Sequence, residues 1–208
     1  MSLKQKTSYY QRCSTLTNAL VSSALSIYGT FFLKWDEGKN YFNDEDIQLR
    51  PRWVHFQACI SFVAFLIVDG VNILRGVKLA EVNAVQKQIL FHHAYLAAAY
   101  FAAVLSADET EGFVTVIGTS LLCTELTSIS WTVRFMLPFY GYQPLSFADK
   151  YNATGTFLLM FILRMVYLPL NVLKVFVPWY IAKIYGPELM LPKMLYSMAA
   201  LAIFLNTL

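Results

Sequence analysis

The chain has 208 residues, of which 57% are hydrophobic, 16% aromatic and 14% charged, and its mean hydropathy is +0.49. A charged share this far below the about 25% of soluble domains argues against a water-soluble fold and reads as a membrane protein. The formal charge of +3 comes from 16 basic and 13 acidic residues, with no Lys/Arg run or basic helix face that could track a phosphate backbone, so nucleic acid is not an expected partner.

The first fifteen residues are polar and show no cleavable signal pattern, so the first apolar segment is expected to act as its own insertion signal. A spanning helix needs roughly 20 mostly apolar residues. Six segments qualify in chain order: 16–33, 54–74, 89–105, 113–137, 153–177 and 189–208. The expectation is one all-α integral membrane domain over residues 1–208, a bundle of about six transmembrane helices joined mostly by short loops, with sequence neighbours antiparallel. The longest connection is the first, "KWDEGKNYFNDEDIQLRPR". Pro138 is expected to close the fourth helix, and Pro169 and Pro178 to kink or end the fifth. The stretch after it, "VPWYIAKIYGPELMLPK", reads as interfacial, with Trp179, Tyr180 and Tyr185 at head-group depth. Helix six ends abruptly in "AIFLNTL", which suits contact with other protein or a natural chain that continues past Leu208.

Orientation does not follow from charge. Lys4, Lys6, Arg12, Arg75, Lys78, Lys87 and Lys150 fall on the N-terminal side, and Lys34, Lys39, Arg50, Arg52, Lys174, Lys183 and Lys193 on the other. The positive-inside rule is therefore balanced. Cys13, Cys59 and Cys123 are far apart, have no C-x-x-C spacing and read as small packing residues.

Ionisable residues inside spanning helices cost about 2.5–3.5 kcal/mol each on insertion scales and normally face a bundle interior. Here they are Asp69, His92, His93, Glu125, Arg134 and Arg164. Helical spacing puts Glu125 on one face with Ser128 and Thr132, and Asp69 on one face with Asn72. Glu125 and Arg134, nine positions apart, point in opposite directions, so one meets other helices and the other lies near the interface. His92 and His93 differ by about 100° in direction. They can border one cavity, but they lack the same-face spacing of metal ligands, and no metal site is expected. Imidazole as general base, nucleophile or hydrogen-bond relay remains. The plainer readings are an interfacial His pair, Glu125 with Ser128 as interhelical glue, Arg134 and Arg164 as snorkelling or positioning groups, and "AYLAAAYFAA" as a packing face.

The segments "QKQILFHHAYLAAAY", "LLCTELTSISWTVRFML" and "TGTFLLMFILRMVYLPL", in that order, resemble the TLC-domain family, which includes the ceramide synthases. The positions that carry the resemblance are His92 and His93, Glu125 with Thr127 and Ser128, Arg134 with Phe135, and Gly155, Phe161 and Arg164. Asp69 in "DGVNIL" is similar to the family's acidic position before the His pair. Val85 stands where ceramide synthases carry an acidic residue, and Glu125 alone answers for a second acidic cluster, so the chain looks closer to the smaller TLC-domain proteins. The resemblance implies a helical bundle around a lipid-accessible cavity. It also implies a role in lipid metabolism or lipid homeostasis, with His92, His93, Glu125 and Asp69 as the catalytic set and Ser128, Arg134 and Arg164 as structural intramembrane polar groups.

Three functions follow as expectations. The first is acyl transfer to a sphingoid base or lipid amine, with acyl-CoA as co-substrate and no resident cofactor. The second is a non-catalytic lipid-binding or structural subunit of a larger membrane complex, for which membrane lipids, partner membrane subunits or a second copy are the partners; the aromatic-rich helix ends favour it. The third is a proton or cation path along Asp69, His92, His93 and Glu125. The endoplasmic reticulum is the expected membrane, with the mitochondrial inner membrane as the alternative.

Overall fold

In the nine residues Phe113–Leu121 every side chain but one is buried, and the one exception is Gly118. That helix is the axis on which the rest of the chain packs. The computed structural model describes residues 3–39, 41–42, 44–74, 84–105, 107 and 112–184. Among these the chain is helix and turn with no strand: α1 Leu3–Ile27, α2 Glu45–Leu49, α3 Trp53–Leu74, α4 Ala84–Leu105, α5 Phe113–Leu121, α6 Leu126–Met136, α7 Phe147–Met160, α8 Leu168–Asn171 and α9 Val177–Ile184. Pairs across the bundle run in opposite order along the two partners. Phe62 meets Tyr100 while Gly70 lies against Leu90, and Gly29 approaches His55 while Gln11 reaches Asp69. Neighbours are therefore antiparallel.

Four stretches among the described residues are long and apolar enough to cross a membrane: Trp53–Leu74, Gln86–Leu105, Phe113–Tyr140 and Phe147–Ile181. They coincide with the second to fifth predicted segments. The sixth, 189–208, lies outside the described residues.

The first predicted segment, 16–33, is corrected. Its helix starts at Leu3 and continues through a π-helical turn, Tyr28–Phe32, because neither Gly nor Pro breaks residues 3–28. It is not among the four apolar spans because its inner face is hydroxyl-bearing. Ser22, Ser23, Ser26 and Thr30 are buried, and Ser26 Oγ donates to the Thr119 carbonyl at 2.6 Å.

The fifth segment is also corrected. Pro169 and Pro178 do not end it, and helix runs from Phe147 to Ile184, with π-helical register over Phe161–Tyr167 and Val172–Phe176 on either side of Pro169. A proline removes one donor from the ladder, and widening the turn is one way a helix absorbs that loss. The segment "VPWY" is helical and opens α9, with the Trp179 ring stacked on Phe113 at 4.0 Å between centroids; Tyr185 lies outside the described residues. Pro138 behaves as expected: α6 stops at Met136 and a 3-10 turn, Leu137–Tyr140, ends on Gly141.

Two apolar clusters hold the bundle. One joins α5 to Tyr41, Ile47, Leu168, Val175 and Phe176, and the other joins α3 to α4 through Ala58, Cys59, Phe62, Leu66, Leu96 and Tyr100. Within "AYLAAAYFAA" the buried residues are Leu96, Tyr100 and Ala103, so one large-residue stripe, rather than the alanines at large, makes the contact.

Buried polar side chains then lock α5 in place. Tyr41 Oη donates to Asn171 Oδ1 at 2.9 Å, Asn171 Nδ2 to Ser120 Oγ at 2.6 Å, and Tyr167 Oη to the Ser120 carbonyl at 2.9 Å. His55 also serves the fold. Its Nδ1 accepts from the Arg52 N–H at 2.8 Å, and Nε2 sits 3.4 Å from the Gly29 carbonyl. Gly29 leaves room for the ring, since a Cβ there would stand 3.1 Å from the imidazole, a tight contact.

The first loop is tied down by charge. Asp44 caps α2 by accepting from the Asp46 N–H at 2.8 Å. Lys34 Nζ reaches Asp46 at 2.6 Å, and Arg50 Nε reaches the same carboxylate at 2.8 Å.

Candidate functional site

At the end of the bundle opposite that loop, α1, α3, α4 and α6 splay around a cavity of about 600 Å3. The size falls within the about 300–1,000 Å3 of small-molecule sites. Asp69, His92, His93, Glu125, Ser128 and Arg164 all line it, although they come from four separate segments of sequence. Apolar walls come from Phe62, Phe65, Leu66, Ile73, Ile89 and Leu96. Arg134 does not belong to this cavity. It lines a separate hollow near the α6–α7 turn and donates from Nε to Asp149 Oδ1 at 3.0 Å, on the face opposite Glu125, as their spacing requires.

The local fold explains each position. α3 buries Ala58, Cys59, Phe62, Val63, Leu66 and Asp69 at three- and four-residue steps, so Asp69 is the last buried position of the core stripe. His92 and His93 stand about two turns into α4 and border the cavity with rings 6.1 Å apart. Glu125 is not on an α-helical turn. It closes a 3-10 turn, Leu122–Glu125, between α5 and α6. Ser128 lines the cavity beside it, whereas Thr132 is buried elsewhere. Asn72, predicted to share a polar face with Asp69, is exposed, because the helix has rotated it out of the core by the next turn.

Asp69 is the hub of the polar contacts. Its Oδ1 accepts from Gln11 Nε2 at 3.4 Å, and its Oδ2 lies 3.4 Å from His93 Nδ1. That nitrogen is buried and meets no hydrogen-bond partner at full geometry. The Asp69–His93 contact is therefore long. Glu125 has Ser128 and Arg164 as its polar neighbours, and the Arg164 charge also acts on His92. Arg164 Nε is buried without a hydrogen-bond partner among the described residues. Among the described residues no three His, Cys, Asp or Glu side chains converge as a metal ion would need.

Two wall residues escaped the sequence reading. Gln11 and Arg12 line the cavity from the first turns of α1, and the Arg12 guanidinium lies 4.6 Å from the centre of the Phe135 ring. The signal was the unbroken run of helix-compatible residues ahead of Leu16, which extends the helix far enough to deliver both.

Compared with known protein families, with curated proteins and with solved structures, the chain matches none.

Proposed function

We propose that the chain is a multi-pass membrane protein of lipid metabolism that transfers an acyl group to a lipid amine inside this cavity, in the manner its resemblance to the TLC-domain family implies. The observation that carries the reading is the Asp69–His93 pair, 3.4 Å apart, in a cavity with apolar walls and a second imidazole beside it. Neither oxygen of Asp69 is wasted, since Gln11 engages the other. An Asp–His pair braced in this way fixes the imidazole tautomer. His93 Nε2 would take a proton from the attacking amine as its nitrogen bonds to the thioester carbonyl carbon. The C–S bond then breaks, and the thiolate leaves as the thiol after taking that proton. The six-span bundle, including segment 189–208, belongs to this reading, as do the endoplasmic reticulum and contact with partner membrane subunits or a second copy.

The test is transfer from labelled acyl-CoA by the purified protein in nanodiscs, offered a sphingoid base or a lysophospholipid. Labelled product that His93→Ala abolishes, in protein that stays folded, supports the reading. No product with any acceptor, from folded and lipid-bound protein, refutes transfer and leaves the lipid-binding or structural-subunit function.

A further inference from the structure

The central cavity has a neighbour. A second hollow of about 240 Å3 is lined by Thr127, Ser128, Trp131, Thr156, Met160 and Arg164. Ser128, Trp131 and Arg164 line the central cavity too, so side chains alone form the wall between the two spaces. The inner end of the second hollow is closed by the buried Thr156, while Met160 and Trp131 at its rim are 41% and 47% exposed. Both rim residues lie on stretches apolar enough to cross a membrane. The hollow therefore opens sideways, towards hydrocarbon.

Arg164 stands at the junction. It projects from the π-helical stretch Phe161–Tyr167, a wide-turn geometry frequent at functional sites. Its Nε is buried and unbonded, which is costly in a low dielectric unless an anion is received there. Asp69 has His93 and Gln11 beside it, and Glu125, on which the Arg164 charge acts, is bonded by Ser128; neither carboxylate bonds Arg164 Nε. A planar guanidinium with free donors suits two oxygens of one anion.

We infer that the two hollows form one lateral passage, in which Arg164 holds the oxyanion headgroup of a membrane lipid while its chain leaves past Trp131 and Met160. The inference rests on reading the cavity as a lipid-handling site, and it adds the charge of the lipid and the side from which it arrives. Phosphate and carboxylate headgroups share the required chemistry.

Trp131 touches both hollows and supplies the readout. The signal is tryptophan emission of the full chain in phosphatidylcholine nanodiscs, less that of Trp131→Phe, titrated with lipids brominated on the chain. Half-quenching is expected at an about tenfold lower mole fraction of phosphatidic acid or fatty acid than of phosphatidylcholine, and that preference is expected to vanish in Arg164→Gln and survive in part in Arg164→Lys. The better quencher of the two anions names the headgroup. Equal quenching by anionic and zwitterionic lipids, or an Arg164→Gln preference equal to that of the unaltered chain, overturns the passage. Displacement by inorganic phosphate also overturns it, by assigning the site to a soluble anion. Should the Arg164 variants not fold, Met160→Phe at the exposed rim decides: weakened quenching supports the passage and unchanged quenching refutes it. Anion-selective quenching without acyl transfer would sink the catalytic reading alone, and transfer without selectivity would sink only the passage.

Discussion

Replacing Tyr41 by Phe removes one oxygen from the centre of the bundle and alters nothing else in shape. Tyr41 is fully buried and donates to Asn171 Oδ1 at 2.9 Å. Burial pushes its phenol pKa up, so the hydroxyl remains a donor throughout the neutral range. After the substitution Asn171 keeps its own donor bonds to Ser120 and Tyr167, and only Oδ1 is stranded. A stranded buried group costs about 1–3 kcal/mol. Two effects pull towards the low end: carbonyl oxygens tolerate under-bonding better than N–H groups, and bonds measured inside membrane proteins average about 0.6 kcal/mol. The expected loss is therefore about 1 kcal/mol, close to a fivefold change in the unfolding equilibrium. Reversible unfolding in mixed micelles, with the exposed Tyr10→Phe as control, reads it directly. In a cycle with Asn171→Ala the two losses should be less than additive, because either change breaks the same bond. A Tyr41→Phe protein as stable as the control, or losses that simply add, would refute the network as the clamp that holds the π-helical stretch against α5.

Gly112→Ala should destabilise by about 2 kcal/mol or more, since φ is +73° and a Cβ would enter the Pro51 ring; thermal unfolding no worse than that of Gly38→Ala, whose φ is also positive but whose surroundings are open, would contradict the packing. The first loop should loosen in acid. The Lys34 bond holds Asp46 below the usual carboxylate range. Burial opposes the same shift at Asp44, but the Asp46 N–H and the Lys34 and Lys39 charges outweigh it. The stability these carboxylates contribute is thus complete above an unfolded pKa of about 3.9 and is lost as pH falls through the lower folded values. Lys34 is raised by Asp46, so its share is complete below the ordinary lysine pKa and goes as pH rises through the folded one. Proteolysis of the loop as pH falls below about 3.9 should show the acid edge, and Asp46→Asn should flatten it. In the acyl-transfer assay Asp69→Asn should cost about a hundred- to ten-thousand-fold in kcat by releasing the His93 tautomer, and Gln11→Ala less; an Asp69→Asn rate within threefold of the unaltered chain would remove the pair from the mechanism.

Four helices long and apolar enough to cross a membrane were legible because each is a run of about 20 mostly apolar residues. The grouping of Asp69, His92, His93 and Glu125 followed from the rule that an ionisable group in an apolar segment turns inward, whereas Arg164, expected as a snorkelling or positioning group, lines the same cavity. The start of α1 was not legible from hydropathy, because the first fifteen residues are polar and only the stretch from Leu16 on is apolar. Pro169 misled in the other direction. A proline ends a helix only where no neighbouring register can absorb the lost donor, and the π-helical turns on both sides of it do so. Gln11 and Arg12 were lost with the start of α1, although nothing between Leu3 and Leu16 forbids a helix.

The two ends of the bundle are built differently, and the difference bears on function. At the first-loop end α5 is sealed by Tyr41, Phe113, Ile117 and Val175, and Trp179 stacks over them. At the other end the same helices part around a cavity whose polar contacts are long, with Gln11 and His93 each 3.4 Å from Asp69 and Arg164 Nε unpartnered. Polar groups left loosely paired in a low dielectric are costly to keep. That cost is sustained only where the rest of the fold over-determines the arrangement, which the dense end supplies. Tightening the open end without a ligand should therefore stabilise the chain: Arg164→Met, which removes the unpaired donor, is expected to raise its unfolding midpoint while ending the preference for anionic lipid. A lower midpoint would mean that Arg164 holds the bundle together and is not held open for a ligand.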